Sequence, residues 1–126
     1  MNNERRKALI AIAGDLSLIK GEVEACTQAM TDEETAEKEE GWSSSVEDAH
    51  GALEACKDEE QEYLDNMPES FKNGDRGSNA ETAIAAMQEG MDALDELMNV
   101  DEVGEFIKMA EDKIDTAIAQ IEEAQA

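Results

Sequence analysis

Apolar residues step through the first part of this chain by threes and fours. Leu9, Ile12, Leu16, Ile19, Val23, Cys26 and Met30 alternate without a miss, which puts one narrow apolar stripe on a helix. The pattern turns polar through TDEETAEKEE, where the helix is expected to continue as a solvated arm, so the first helix covers about residues 3–40. GWSSS follows. Gly41 suits the left-handed position after a helix, and Ser44 with Glu47 makes an S-x-x-E capping box for the next one, about residues 44–66. Its stripe is Trp42, Val46, Ala49, Leu53, Cys56, Glu60, Tyr63 and Met67, interrupted only by Glu60. A turn at 41–43 folds these two stripes face to face as an antiparallel hairpin, with Cys26 and Cys56 at nearly the same height.

Pro68 closes the second helix, because the residue before a proline is pushed out of helical geometry. In KNGDRG the pairs Asn73-Gly74 and Arg76-Gly77 invite positive φ, and Ser78 with Glu81 repeats the capping box. A third helix, about 78–98, carries Ile84, Met87, Met91, Leu94 and Met98. The phase slips at Asn99, with Asn99 or Asp101 as a new N-cap. A fourth helix, about 101–124, carries the stripe Val100, Val103, Ile107, Ala110, Ile114, Ala117 and Ile121. No strand pattern is present. The expectation is a single all-α domain over residues 1–126, built as antiparallel helical hairpins or a small helical bundle with coiled-coil-like seams. Two hairpins can bury each other within one chain. A stripe left over would need a second chain, so a homo-oligomer is the companion expectation.

Composition sharpens this. The 126 residues hold 33 carboxylates against 10 lysines and arginines, a formal charge of −23. Such charge marks disorder when apolar residues are few. Here they make up 40% of the chain and are periodic, so the helices are read as folded. Nucleic acid and anionic membranes are repelled at long range, which points to a protein partner with a basic surface. A solvated surface that keeps a helical protein monodisperse is the plainer alternative. The apolar run after Arg5, Arg6 and Lys7 is broken by Asp15, Lys20 and Glu22, so neither a cleavable signal nor a membrane span is expected. Two cysteines in that setting fit a reducing cytoplasm.

Little in the chain specifies chemistry. His50 is the one histidine, placed one residue past the stripe position Ala49, and the cysteines are not paired as C-x-x-C. Neither a metal centre nor an activated nucleophile is specified. An EF-hand starting at Asp65 puts Met67 and Arg76 where oxygen ligands are required. The glycines are scattered rather than gathered into a phosphate loop. The expectation is a protein that is not an enzyme and takes no cofactor. The cations are more suggestive. Arg5, Arg6, Lys7, Lys72 and Arg76 fall on one side of the hairpin, near the Pro68 loop and the starts of the first and third helices, an arrangement that suits a phosphate-bearing small molecule. Equally, they neutralise Glu4, Asp65, Glu69 and Asp75 and cap the carbonyls that end the second helix.

The run EEQEYLDNMPES at residues 59–70, followed by Gly77 and an Ala/Glu helix, is the most distinctive stretch. With the basic start Asn3-Glu4-Arg5-Arg6-Lys7-Ala8-Leu9, it resembles a group of small acidic helical proteins of tailed bacteriophages and prophages. The likeness covers the start of the first helix and about residues 59–98, and residues 31–50 look like an insertion. It implies a phage-type origin, a helical hairpin and the cytoplasm of an infected bacterial host. It carries over no catalytic residue.

Three functions fit these residues. In the first, Asp32, Glu33, Glu34, Glu37, Glu39 and Glu40, with Asp58, Glu59 and Glu62, form a nucleic-acid-like surface that occupies a host protein's groove as counter-defence. Duplex DNA carries about one charge per 1.7 Å of axis, against a helical rise of about 1.5 Å per residue. In the second, a coiled-coil scaffold or assembly protein is built through the seams. In the third, an oligomeric sponge sequesters a nucleotide signal at the basic cluster.

Overall fold

Four long helices and one short one make up most of the residues that the computed structural model describes, 2–26, 31–100 and 104–125. They are α1 (Asn3–Ala25), α2 (Asp32–Asp65), α3 (Glu69–Lys72), α4 (Asp75–Met98) and α5 (Glu105–Ala124). No strand occurs among the described residues. The architecture is all-α.

α1 packs on α2 and α5, and α4 packs on the same two, so the long helices run round an antiparallel bundle. Polar cross-links fix the directions. Arg5 meets Glu60 and Glu22 meets Trp42 between α1 and α2. Lys57 donates to Gln88 between α2 and α4, Lys113 pairs with Glu96 between α5 and α4, and Lys20 pairs with Asp115 between α1 and α5. Across the diagonal, α2 and α5 meet where Trp42, in the third turn of α2, stacks on Phe106, in the first turn of α5, with ring centroids 6.0 Å apart. Leu9, Leu16, Val46, Leu53, Met87, Leu94, Ile114 and Ile121 are fully enclosed between the helices. Among the described residues, most members of the four expected stripes pack against one another in one core.

The first turn of the chain is not where the capping pattern at Ser44 puts it. α1 ends at Ala25 instead of continuing to residue 40, and α2 runs unbroken through Gly41 and Ser44. Thr31 is the N-cap: its Oγ1 accepts the Glu34 N–H at 3.2 Å and donates to the Glu34 side chain, so TDEE supplies the first of the two bonds of a capping box. Burial explains the continuity, since Glu39, Trp42 and Val46 lie on one enclosed face and a break at Gly41 would split it. A solvent-facing glycine costs a helix only about 1 kcal/mol relative to alanine. The cysteines consequently separate. Cys26 is the C-cap of α1, four residues past the Trp42 partner Glu22, whereas Cys56 lies near the opposite end of the bundle, four residues before the Arg5 partner Glu60. Both are free thiols. Met30 lies outside the described residues.

The later boundaries shift for similar reasons. Pro68 follows the end of α2 as expected and opens the short α3. α4 starts at Asp75, so Ser78 is an exposed residue inside it and not a cap. Neither Gly74 nor Gly77 takes positive φ; Gly104 alone does among the described residues, at 93°. Gly77 answers a different demand, because a Cβ there would lie 2.0 Å from the Lys72 carbonyl oxygen. Asn99 is the C-cap of α4 rather than an N-cap, and α5 begins at Glu105 rather than near 101. Asp101 and Val103 lie outside the described residues. Phe106 joins the buried stripe of α5, while Val100 and Ile107 are half-buried. α4 buries a wider face than one stripe, including Ala83, Ala86, Gly90 and Leu97, because it packs on two helices. Tyr63 leaves the seam and is exposed.

Candidate functional site

The break after α2 helps to build a concavity. Pro68 turns the chain into α3, and the missing side chain at Gly77 lets the first turn of α4 fold tightly back on Lys72. Phe71 and Arg76 are thereby set beside Tyr63 and Met67, opposite the start of α1. The result is a cleft of about 550 Å³ lined by both arms of the break and by Asn2, Glu4 and Arg5.

Arg5 is the best-fixed group there. Its Nε donates to Glu60 Oε2 at 2.7 Å, and its guanidinium lies 5.6 Å from the Tyr63 ring centroid. Glu60 is fully buried and the Arg5 side chain is 11% exposed, so this is an interior ion pair. Glu60 Oε1 finds no partner among the described residues. The polar residue that interrupts the α2 stripe is therefore the anchor of the α1 start. Arg76 repeats the stacking motif over Phe71, at 5.2 Å.

Of the five cations the sequence groups together, the structure brings only Arg5 and Arg76 to the cleft. Arg6 turns to the far side of α1 and donates from Nε to the Gln125 carbonyl at 3.2 Å, satisfying an end-of-helix oxygen of α5. Lys7 is exposed and Lys72 half-buried, both outside the lining. Glu4, Glu59 and Glu62 complete the wall, and with Glu60 beneath them carboxylates outnumber guanidiniums. Like charge of this sign opposes a phosphate. Tyr63 and Phe71 are the lining residues that the reading of cations missed. Their spacing around Pro68 is the signal that could have found them.

The acidic surface resolves onto one helix. α2 contains 34 residues and spans about 51 Å at 1.5 Å per residue. Glu33, Glu34, Glu37 and Glu40 are exposed near its start, and Asp58, Glu59 and Glu62 near its end. The Asp32 side chain is outside the description. Glu47, Asp48 and Glu54 join them between the two clusters. Glu39 does not belong to this surface. It is buried, and its two oxygens accept the backbone N–H groups of Gly104 at 2.8 Å and Ile107 at 3.1 Å.

Other titratable groups are structural in their surroundings. The Lys20 and Lys113 ammonium groups are held above the ordinary lysine value, chiefly by hydrogen bonds to Asp115 and Glu96 respectively. Burial pushes the Cys56 thiol up, with Glu59 adding to the effect. His50 is half-buried on α2, with Nε2 3.1 Å from Asp95 Oδ1 but poorly directed for a hydrogen bond. Among the described residues, no three His, Cys, Asp or Glu side chains converge as a metal ion would require. No helix there is long and apolar enough to cross a membrane. Compared with protein families, with curated protein sequences and with solved structures, the chain matches none.

Proposed function

We propose that this chain is a non-catalytic binding protein of phage type, acting in the cytoplasm of an infected bacterium. Its target is a host protein whose basic, nucleic-acid-binding surface it occupies as counter-defence. The observation that carries this reading is α2, which exposes eleven carboxylates along its length against one exposed cation, Lys38. Spread over about 51 Å, they stand about 5 Å apart, near the roughly 3.4 Å phosphate spacing of one DNA strand. From Glu39 to Glu60 a buried residue on each turn anchors the helix to the bundle, which holds the charges there in a fixed order that a disordered acidic tail would not.

A coiled-coil scaffold is less well supported, because the seams that would join copies are consumed inside one chain. A nucleotide sponge is less well supported, because carboxylates surround the two guanidiniums of the cleft. The test is retention of purified host nucleases and DNA-binding proteins on the immobilised chain. Retention that falls steeply with salt and is displaced by duplex DNA is expected. Retention that ignores both, or none across the panel, overturns the reading.

A further inference from the structure

Two large apolar side chains of α1 are left uncovered by the other described residues. Ile10 is 59% exposed and Leu18 is 70% exposed, on a helix whose other face is fully occupied by the core. Between them the exposed positions are Ala11, Gly14, Asp15 and Ser17, and Asp15, the one charge among them, lines the α2 side together with Leu18. Beside Leu18 a groove of about 340 Å³ opens between α1 and α2. Its apolar lining includes Ile12, Ile19 and Ala52, and Asp15, Glu22 and Asp48 line it as well. One oxygen of Glu22 already accepts the Trp42 indole N–H at 3.0 Å; no ion pair occupies Asp15 or Asp48 among the described residues.

The charge pattern selects the occupant. A second copy in a two-fold contact would set Asp15 and Asp48 against an equally acidic surface, between chains of −23 each. Nucleic acid and anionic lipid meet the same repulsion. A helix with an apolar stripe flanked by lysines or arginines satisfies both features at once: its stripe covers Leu18 and the groove, and its cations meet the carboxylates. We propose that the α1–α2 groove is a docking site for a basic amphipathic helix of the partner protein. This rests on the reading of the chain as an acidic binding protein, and adds that the partner offers a helix gripped partly by apolar contact.

The test uses the full chain and a fluorescein-labelled 18-residue lysine/leucine peptide with helical amphipathicity, beside a scrambled peptide of identical composition. Binding is read by anisotropy at low and at high salt. The wild-type chain is expected to prefer the amphipathic peptide at least tenfold, with the preference surviving high salt. Leu18→Ser, which leaves charge unchanged at an exposed groove position, should remove most of that preference, whereas Ile10→Ser, outside the groove, should keep it, with the circular dichroism and Tm of both close to wild type. Equal binding of both peptides, or no effect of Leu18→Ser, overturns the docking site and leaves the acidic-surface reading standing. A dimer by light scattering that Leu18→Ser dissociates, without change in peptide binding, overturns it in favour of a second copy. Failure to bind either peptide at any salt overturns the docking site and the acidic-surface reading together.

Discussion

The carboxylate of Glu39 on α2 caps α5, accepting the backbone N–H of Gly104 at 2.8 Å through one oxygen and that of Ile107 at 3.1 Å through the other. The first turn of a helix leaves N–H groups without partners, and a negative charge there also meets the positive end of the helix dipole. α5 has no side-chain cap of its own, since Gly104 precedes it in the left-handed conformation. A residue 65 positions away supplies the missing acceptor. Glu39→Ala should therefore lower stability by about 1–2 kcal/mol, the usual range for a lost cap. Amide exchange should accelerate in the first turn of α5 before it does elsewhere. Uniform acceleration across the bundle would contradict a local capping role.

Arg5 and Glu60 form a second, buried long-range polar link, and here the direction of effect depends on which partner is removed. Arg5→Ala leaves a fully buried carboxylate unpaired, which costs about 3–5 kcal/mol in comparable interiors. Replacing both, as Arg5→Met with Glu60→Leu, exchanges the pair for apolar volume and should recover most of that loss. Denaturant midpoints of the two single variants and the double variant measure it. A double variant as unstable as Arg5→Ala would show that the pair contributes directly rather than by mutual compensation.

These two links also mark how far the sequence was readable. Helix type and the four stripes are local properties, set by spacing within a few turns, and Leu9 to Val23 or Ala110 to Ile121 are buried where the spacing puts them. The site of the first turn was not readable, because TDEE at Thr31 and SSVE at Ser44 are equivalent local capping signals. What separates them is the enclosure of Glu39 and Trp42 by residues of α5, which no local window contains. The same holds for the cleft. Arg5 and Arg76 do meet in it, but the helical phase that sends Arg6 to Gln125 is fixed by where α5 ends. Glu60 read as an interruption of its stripe, and its partner lies 55 residues earlier.

Glycines should split into two classes by stability. At Gly77 an added Cβ meets backbone of Lys72 at 2.0 Å, so Gly77→Ala must open the α3–α4 elbow and should cost about 2 kcal/mol or more. At Gly14 and Gly41 nothing lies within 4 Å of an added Cβ. Both are exposed helical positions with ordinary φ, so alanine should stabilise each by up to about 1 kcal/mol. Thermal unfolding of the three variants is sufficient, and a stable Gly77→Ala would remove the reason given for that residue.

Alkaline pH should weaken the bundle through two lysines. Lys20 links α1 to Asp115 on α5, and Lys113 links α5 to Glu96 on α4; both have folded-state values raised above 10.5. A raised value means the folded state holds the proton more tightly than the unfolded chain. The stabilisation is then complete below about pH 10.5 and disappears as pH rises through the higher folded value. Exposed pairs of this kind are screened by salt, so the effect should be largest at low ionic strength. Unfolding curves for the wild type and for Lys20→Met with Lys113→Met should run parallel up to about pH 10 and converge above it. Taking the difference between them removes the contribution of Cys56, whose thiol burial pushes up in both proteins. Curves that stay parallel to the end of the titration would show that neither lysine couples protonation to folding.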